Sequence, residues 1–568
     1  MNVQTAIRLP AVRLHVHWSD RVAHLLLVAV ALLLVIGLLL PLGAILSQAL
    51  QQTEERSGWG HFRAYLASPA LLGSLWNSLW VSALVTTLVI PLAFGFAYAL
   101  MRSCMPAKGL LRSITLLPLL APSLLSAISL IYWFGNQGAA KGLWQALGFD
   151  SIYGAPGIVL AECFATFPHA LMILVTALSL ADARLYEAAD AMGTRTLRRF
   201  FTITLPGAKY GLISAALVVF TLVITDFGIP KVVGGNFNVL ATDVFKLVIG
   251  QQDFQRGAVV ALLLLAPALL TFTVDHLVQR KQTAMLTARA VALTPRPAKG
   301  FDAAMTAYCL LVCALMVAMF GMAVFASFAK LWPYNLTPSL DHYVAGIVDA
   351  ELGGAVLNSL LLAACTSVVG TAVVFCGAYL LEKTRGLDVL RPVIRLMAML
   401  PMAVPGLVLG LGYIFFFNAP WNPLNGLYQT MGLLVLCTVV HFYTTGHLTM
   451  VTALKAIDGE FEAVAASLKV PVFTTVRRVT LPICLPVLLD VSRYFFINAM
   501  TTISAVVFLY SPETRLASVA ILNLDEAGEI GAAAAMAVLI AGTSATVNVL
   551  YLLLGRWVDR RTQRWRLR

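Results

Sequence analysis

Residues 176–206 read TALSLADARLYEAADAMGTRTLRRFFTITLP, and residues 452–482 read TALKAIDGEFEAVAASLKVPVFTTVRRVTLP. At a constant offset of 276, Thr176-Ala177-Leu178 falls on Thr452-Ala453-Leu454 and Asp182 on Asp458. Ala189 falls on Ala465 and Thr204-Leu205-Pro206 on Thr480-Leu481-Pro482, with no gap across 31 residues. Working outward, Asn77-Ser78-Leu79 and Ala97-Tyr98 match Asn358-Ser359-Leu360 and Ala378-Tyr379 at an offset of 281. Leu117-Pro118 and Pro122 match Leu400-Pro401 and Pro405 at 283. Any one match is at chance level, but an ordered set with so little drift is not. Repeats decide architecture before other features do, and here the chain is built twice.

The repeated unit is membrane-spanning. Of 568 residues, 60% are hydrophobic and 12% charged, about half the roughly 25% charge of a soluble chain. Apolar runs of about 20 residues recur, each long enough to cross about 30 Å of hydrocarbon at about 1.5 Å per residue. Twelve spans are predicted, near 23–48, 74–101, 113–134, 156–180, 208–229, 256–278, 302–328, 354–381, 394–417, 427–450, 483–508 and 530–555. The expected fold is an all-α polytopic membrane protein made of two six-helix repeats. The chain divides into a tail (1–22), a first half (23–280), a polar and basic linker (281–301) with Pro295 and Pro297, a second half (302–556) and a basic tail (557–568). Six is even, so matching loops lie on one side and the repeats are parallel, related by an axis along the membrane normal. A pathway between the two halves follows. The first apolar run, Val22 to Leu46, is too long for the core of a cleavable signal.

The net charge of +12 does not point to nucleic acid, because the basic residues are spread through short connections. The two tails and the connections near 102–112, 182–209, 279–301, 382–395 and 451–482 hold 30 Lys and Arg. The alternate connections hold 7, and Arg256 and Arg493 fall within or beside spans. That asymmetry places the first set, with both termini, in the cytoplasm. Eight cysteines, mostly inside apolar runs and without a CxxC pair, read as small hydrophobic filler.

The connection after the fourth span is too long for a plain turn. Asp182 suits a helix N-cap, and Leu185, Ala188, Ala189 and Met192 have helical spacing. Gly193 suits the left-handed residue that ends a helix. A second amphipathic stretch with Arg198, Arg199, Phe200 and Phe201 leads to Pro206, which can open the next span. The predicted shape is helix, tight turn, helix: an apolar knob with a charged rim, suited to a groove in a partner. Glu187-Ala188-Ala189, Gly193 and Leu205-Pro206 resemble the EAA loop of permease subunits of ATP-binding-cassette importers. In the second half Ala463 replaces the first Glu, with Glu462 one position earlier, while Ala465, Ser467, Leu468 and Leu481-Pro482 still match. Lys469 stands where Gly193 does, which argues against the same turn, so the two docking sites are expected to be unequal.

The resemblance covers nearly the whole chain and implies the type I importer permease fold. It implies a bacterial inner-membrane location and two copies of a cytoplasmic ATPase seated on the two loops. A periplasmic binding protein would deliver a small solute, moved by alternating access. No cofactor is expected on this chain, since ATP and Mg belong to the ATPase. Fused permeases of this kind serve iron(III), thiamine and 2-aminoethylphosphonate. Thr225-Asp226-Phe227-Gly228-Ile229-Pro230-Lys231, Gly234-Gly235-Asn236 and Gln251-Gln252 look most like the last group. So do Tyr510-Ser511-Pro512 and Asn523-Leu524-Asp525-Glu526-Ala527-Gly528.

Ionisable groups at membrane depth are costly and default to functional candidates. Asp226, with Thr225 beside it, lies near the outer end of the fifth span, and Thr501, Thr502 and nearby Asn498 hold the equivalent place in the second half. These residues would line the pathway and meet an amine-bearing substrate or hold a gate. The plainer alternative is hydrogen bonding between helices. Asp490 and Arg493 read as a neutralising pair on one helix face, and Glu162, His169 and His441 as residues bonded to neighbouring helices. Asn77 and Asn358 suggest a shared packing role. Pro118/Pro122 and Pro401/Pro405 interrupt the third and ninth spans. No Walker A, HExxH or nucleophile–base pattern is present, so the chain is expected not to be an enzyme. An ion-coupled secondary transporter is the competing reading; it predicts a carboxylate relay and no docking loops.

Overall fold

Prolines set where the spans break. The computed structural model describes residues 18–52, 58–285, 291, 293–348, 350–384, 386–468 and 470–562. Among these, nine helices are long and apolar enough to cross a membrane: Arg21–Ala49, Pro69–Arg102, Ala155–Ser179, Thr196–Thr225, Phe254–Gln279, Lys299–Phe328, Glu351–Lys383, Val472–Thr501 and Ile530–Val558. Two bent helix pairs are also long and apolar enough if each is taken as one broken span, Leu390–Ala403 with Gly406–Phe417 at 113° and Met431–His441 with Tyr443–Lys455 at 55°. The third predicted span is a shorter apolar helix, Ser123–Phe134, preceded by Lys108–Thr115 and a 3-10 turn at Leu117–Leu120. We keep the ordinal numbers of the twelve spans.

The predicted interruptions are present. Pro122 and Pro405 are extended and each opens the helix that follows, because proline can donate no backbone hydrogen bond and constrains the residue before it. The fifth and eleventh spans end earlier than the sequence reading placed them, at Thr225 and Thr501. Asp226 and Thr502 leave helical geometry with ψ of 136° and 141°. Each span also starts earlier, because the helix runs on through Pro206 or Pro482. A widened π turn precedes each proline, Phe200–Thr204 and Val476–Thr480, so the second amphipathic stretch is fused to the next span rather than forming a separate short helix.

The repeat holds element by element. An offset of 281 carries Pro69–Arg102 onto Ala350–Lys383, and 283 carries Ser123–Phe134 onto Gly406–Phe417. At 276, Leu205–Thr225 falls on Leu481–Thr501. Equivalent side chains make equivalent bonds. Asn77 Nδ2 donates to the Asn238 carbonyl (3.0 Å), and Asn358 Nδ2 to those of Glu513 and Arg515 (2.8 and 3.0 Å). The shared packing role read for this pair is therefore borne out.

The sequence halves are not the packing units, however. The first span lies against the second half: Gly37 abuts Val440 and Tyr413, Gly412 abuts Pro41 and Ile45, and Gly377 abuts Val30. Small residues allow such close helix approach. Reciprocally, the seventh span lies against the first half. Tyr308 Oη donates to the Leu92 carbonyl (2.7 Å) and Trp133 Nε1 to that of Ala318 (3.2 Å). The seventh span is followed by a small antiparallel ribbon, β1 (Ala329–Leu331) and β2 (Asn335–Pro338), with Leu331 opposite Asn335. Trp332 Nε1, in its turn, donates to the Gln137 carbonyl of the first half (3.0 Å).

Candidate functional site

The repeated loop forms nearly the same structure twice. Asp182 caps Ala183–Ala191 by accepting the Arg184 N–H at Oδ1 (3.1 Å), and Asp458 accepts the Glu460 N–H before Glu460–Ser467 at the same distance. Gly193 has φ +66°, the left-handed conformation that glycine adopts without strain. Its N–H reaches the Asp190 carbonyl (3.0 Å), and the Thr194 N–H reaches that of Ala189 (2.9 Å). In the second loop Lys469 lies outside the described residues. The bond that closes the turn is nevertheless there, Val470 N–H to the Ala465 carbonyl at 2.9 Å. The doubt that Lys469 casts on a glycine-dependent turn therefore falls outside the described residues, while the segments flanking it are joined by the counterpart of the Thr194–Ala189 bond.

What the loops present is also matched. Leu185, Met192 (75% exposed) and Leu197 project from the first; Phe461, Leu468 (69% exposed) and Phe473 project from the second at the same offset of 276. Glu187 and Ala188 are exposed beside them, whereas Ala189 is buried. Leu205 is half-buried and Pro206 exposed, Ala465 and Pro482 are half-buried, and Ser467 is exposed, its Oγ donating to the Val464 carbonyl (2.8 Å).

Glu462 requires a correction. Named with the docking residues of the second loop, it does not face outward with Phe461 and Leu468. It occupies the position of buried Tyr186, turns inward, and pairs with Lys383 Nζ at 3.1 Å. One residue of displacement on a helix rotates a side chain by about 100°, which moves it from the outer face to the inner one. The first loop carries a further tie that the second lacks: Arg199 pairs with Asp190, where the second has Thr475 and Ala466.

The pathway candidates sit at the opposite ends of the same spans. Thr225 Oγ1 donates to the Thr221 carbonyl (2.8 Å), Asn498 Nδ2 to that of Tyr494 (2.8 Å) and Thr501 Oγ1 to that of Ile497 (3.0 Å). Thr502 is buried. Asp226 accepts the Ile229 N–H (2.8 Å) and the Ser123 hydroxyl (3.4 Å). Each bond named here stays within one half. Glu162, read alone as a helix-packing residue, is buried with its carboxyl beside that of Asp226. At the offset of 276 this acidic pair becomes Thr438 and Thr502. Asp490 and Arg493 pair at 3.1 Å as read.

The contacts that join the halves on this face were not legible in the sequence. Lys231 Nζ meets Glu526 Oε1 at 2.6 Å and lies 5.1 Å from the centre of the Phe245 ring. Phe245 in turn stacks on Phe508 of the second half, with centroids 6.0 Å apart at 21°. Both ionic partners lie in stretches singled out above, but they are not repeat equivalents, so the offset that aligns everything else hides their meeting. A depression of about 480 Å³ lined by Tyr153, Gly154 and 234–237 opens in the first half. No group of three or more His, Cys, Asp or Glu that could hold a metal occurs among the described residues.

The family model for the binding-protein-dependent transport system inner membrane component matches twice, over residues 89–284 and 355–564. The chain belongs to that family. This binding-protein-dependent component has the all-α type I permease fold and is a multi-pass inner-membrane protein, and each family match contains one of the two loops. It is 26% identical over 434 residues to the ferric transport system permease protein FbpB of Actinobacillus pleuropneumoniae, covering 74% of this chain and 62% of that one. It is 25% identical over 415 residues to the putative ferric transport system permease protein FbpB 1 of Haemophilus influenzae, covering 71% and 64%. A 134-residue stretch, 23% of the chain, is 33% identical to the molybdenum transport system permease protein ModB of Escherichia coli, over 58% of it. The match thus spans under two thirds of the length of the two ferric relatives.

Proposed function

We propose that this chain is the membrane-spanning permease of an ATP-driven importer, with both tails and both loops in the cytoplasm. Each loop seats one copy of a separate ATPase, which supplies ATP and Mg, and a periplasmic binding protein delivers a small solute to the other face. The observation that carries this reading is the matched set of exposed apolar side chains, Leu185/Phe461, Met192/Leu468 and Leu197/Phe473. Exposed apolar clusters rimmed by polar residues mark sites of protein interaction, and two copies in parallel repeats fit a partner that is itself a dimer. On the other face, the Lys231–Glu526 and Phe245–Phe508 contacts join the halves, which supports an outer entrance closed at rest. ATPase closure would spread the halves there and admit the solute.

Two substrate readings rest on different observations. The wording of residues 225–236 and 510–528 favours 2-aminoethylphosphonate. The names of the two ferric relatives favour iron(III). The test is to purify the chain with candidate ATPases, look for a stoichiometric complex, and measure ATP-dependent uptake of each solute in vesicles with its binding protein. Complex formation indifferent to Glu187→Ala and Gly193→Pro would sink the docking reading. Uptake driven by a proton gradient without ATP would support the secondary-transporter alternative.

A further inference from the structure

The second and eighth spans end on the loop face in a cation, Arg102 and Lys383, at the offset of 281. Each reaches the docking loop of its own half. Arg102 donates through Nη2 to the Leu178 carbonyl (2.9 Å), and its guanidinium lies 5.3 Å from the centre of the Tyr186 ring. Lys383 donates to the Ile457 carbonyl (2.9 Å) and pairs with Glu462 at 3.1 Å. Tyr186 and Glu462 are themselves equivalent at 276. The same tie is therefore built twice from different chemistry, a cation over an aromatic face in one half and an ion pair in the other. The Lys383 side chain is only 9% exposed, so little water or salt screens it. Neighbouring Glu382 strengthens the second anchor by pairing with Arg395 at 3.1 Å and Lys455 at 4.0 Å; its counterpart in the first half is Met101.

We propose that Arg102 and Lys383 are positioning residues that fasten each docking loop to the second span of its half. A push on the loop then moves the spans instead of being absorbed in the loop. This rests on the ATPase-docking reading. A helix held only by its two chain connections could tilt in place; a buried side-chain tie to a third segment removes that freedom. Because the two ties differ, they fail under different substitutions.

The experiment uses the full chain in vesicles with its ATPase and reads three quantities: ATPase bound, ATP hydrolysed and solute taken up per ATP. Lys383→Glu is expected to leave ATPase binding intact and lower uptake per ATP by about tenfold, the size of an ordinary coupling between sites. Lys383→Arg should hold near wild type, and the exchange Lys383→Glu with Glu462→Lys should restore most of the loss. In the first half Tyr186→Glu should be tolerated, because Arg102 then makes the ion pair of the second half, whereas Arg102→Ala should uncouple. An unchanged uptake-to-ATP ratio in Lys383→Glu, or a loss that the exchange does not restore, overturns the proposal. If the wild-type chain binds no ATPase, it is the docking reading that falls. A thermal melt of each variant separates uncoupling from unfolding.

Discussion

Replacing Gly193 by Ala tests whether the first loop docks in the conformation seen here. No atom lies within 4 Å of where the new Cβ would sit, so crowding contributes nothing. The cost is the left-handed backbone at φ +66°, about 1–2 kcal/mol for an L residue. With tenfold for each roughly 1.4 kcal/mol, the docking conformer becomes about 5- to 30-fold rarer against relaxed alternatives, and the apparent Kd for the ATPase rises by up to that factor. Gly193→Asn should recover much of the loss, because Asn visits this region more readily than other residues do. Gly193→Pro should be worse than Ala, since its φ is fixed near −65° and it removes the N–H that reaches Asp190. The assay is titration of the ATPase onto the chain in nanodiscs, with a thermal melt as control. Wild-type affinity in Gly193→Ala, or an equal loss in Ala and Asn, would show that the turn does not set docking.

Met192→Asp and Leu468→Asp should each weaken ATPase binding by about tenfold or more, since burying such a side chain is worth about 1.5–3 kcal/mol; melts should not move, because both residues are exposed in the free chain. The Lys231–Glu526 pair is partly exposed and worth about 1 kcal/mol or less, so Lys231→Glu should barely change the melt. It should raise ATP turnover in the absence of solute by loosening the outer seam, and adding Glu526→Lys should reverse the rise; turnover that does not respond would show that the pair holds nothing shut. Burial pushes the Asp525 carboxyl up to about 6, with neighbouring Glu526 adding to the rise and Lys231 opposing it. The folded chain therefore holds this proton more tightly than the unfolded one, whose carboxyl titrates near 3.9. The stability it contributes is full below about pH 4 and is lost as pH rises through about 6. Asp525→Asn should flatten that part of the melting profile between about pH 4 and 6.5, and an unaltered profile would assign the dependence to other groups.

Much of the architecture was legible because membrane burial writes long, regular signals. Apolar length gave the long spans, and Pro118/Pro122 and Pro401/Pro405 marked the breaks. The capped loop helix was legible too, since Asp182 and Gly193 act through their own backbone neighbours. Contacts between distant segments were not. Nothing in a chain-order reading says that Glu162 sits beside Asp226, that Lys231 finds Glu526, or that Glu462 turns toward Lys383. Glu462 stands one residue before the place of Glu187, and on a helix that is enough to exchange the outer face for the inner. The π turns before Pro206 and Pro482 escaped for a related reason: a proline reads as a helix start, while the structure absorbs it inside a continuous helix.

The crossing of the first span onto the second half has a consequence for how the chain is made. The segment Arg21–Ala49 meets the sixth span, Phe254–Gln279, midway through synthesis, but its partners near Tyr413 and Val440 lie nearly four hundred residues downstream, so its second-half face must wait in the bilayer until they are made. Until then that face can be matched only to lipid. The segment is the most apolar of the nine long helices, and its backbone is satisfied within the helix, as any lone segment in hydrocarbon requires. The seventh span faces no such delay, because its partners in the first half are already inserted when it emerges. The two ends of the interlock are therefore closed in order, the seventh span first, and the Phe245–Phe508 and Lys231–Glu526 contacts join the halves only after the later segments emerge.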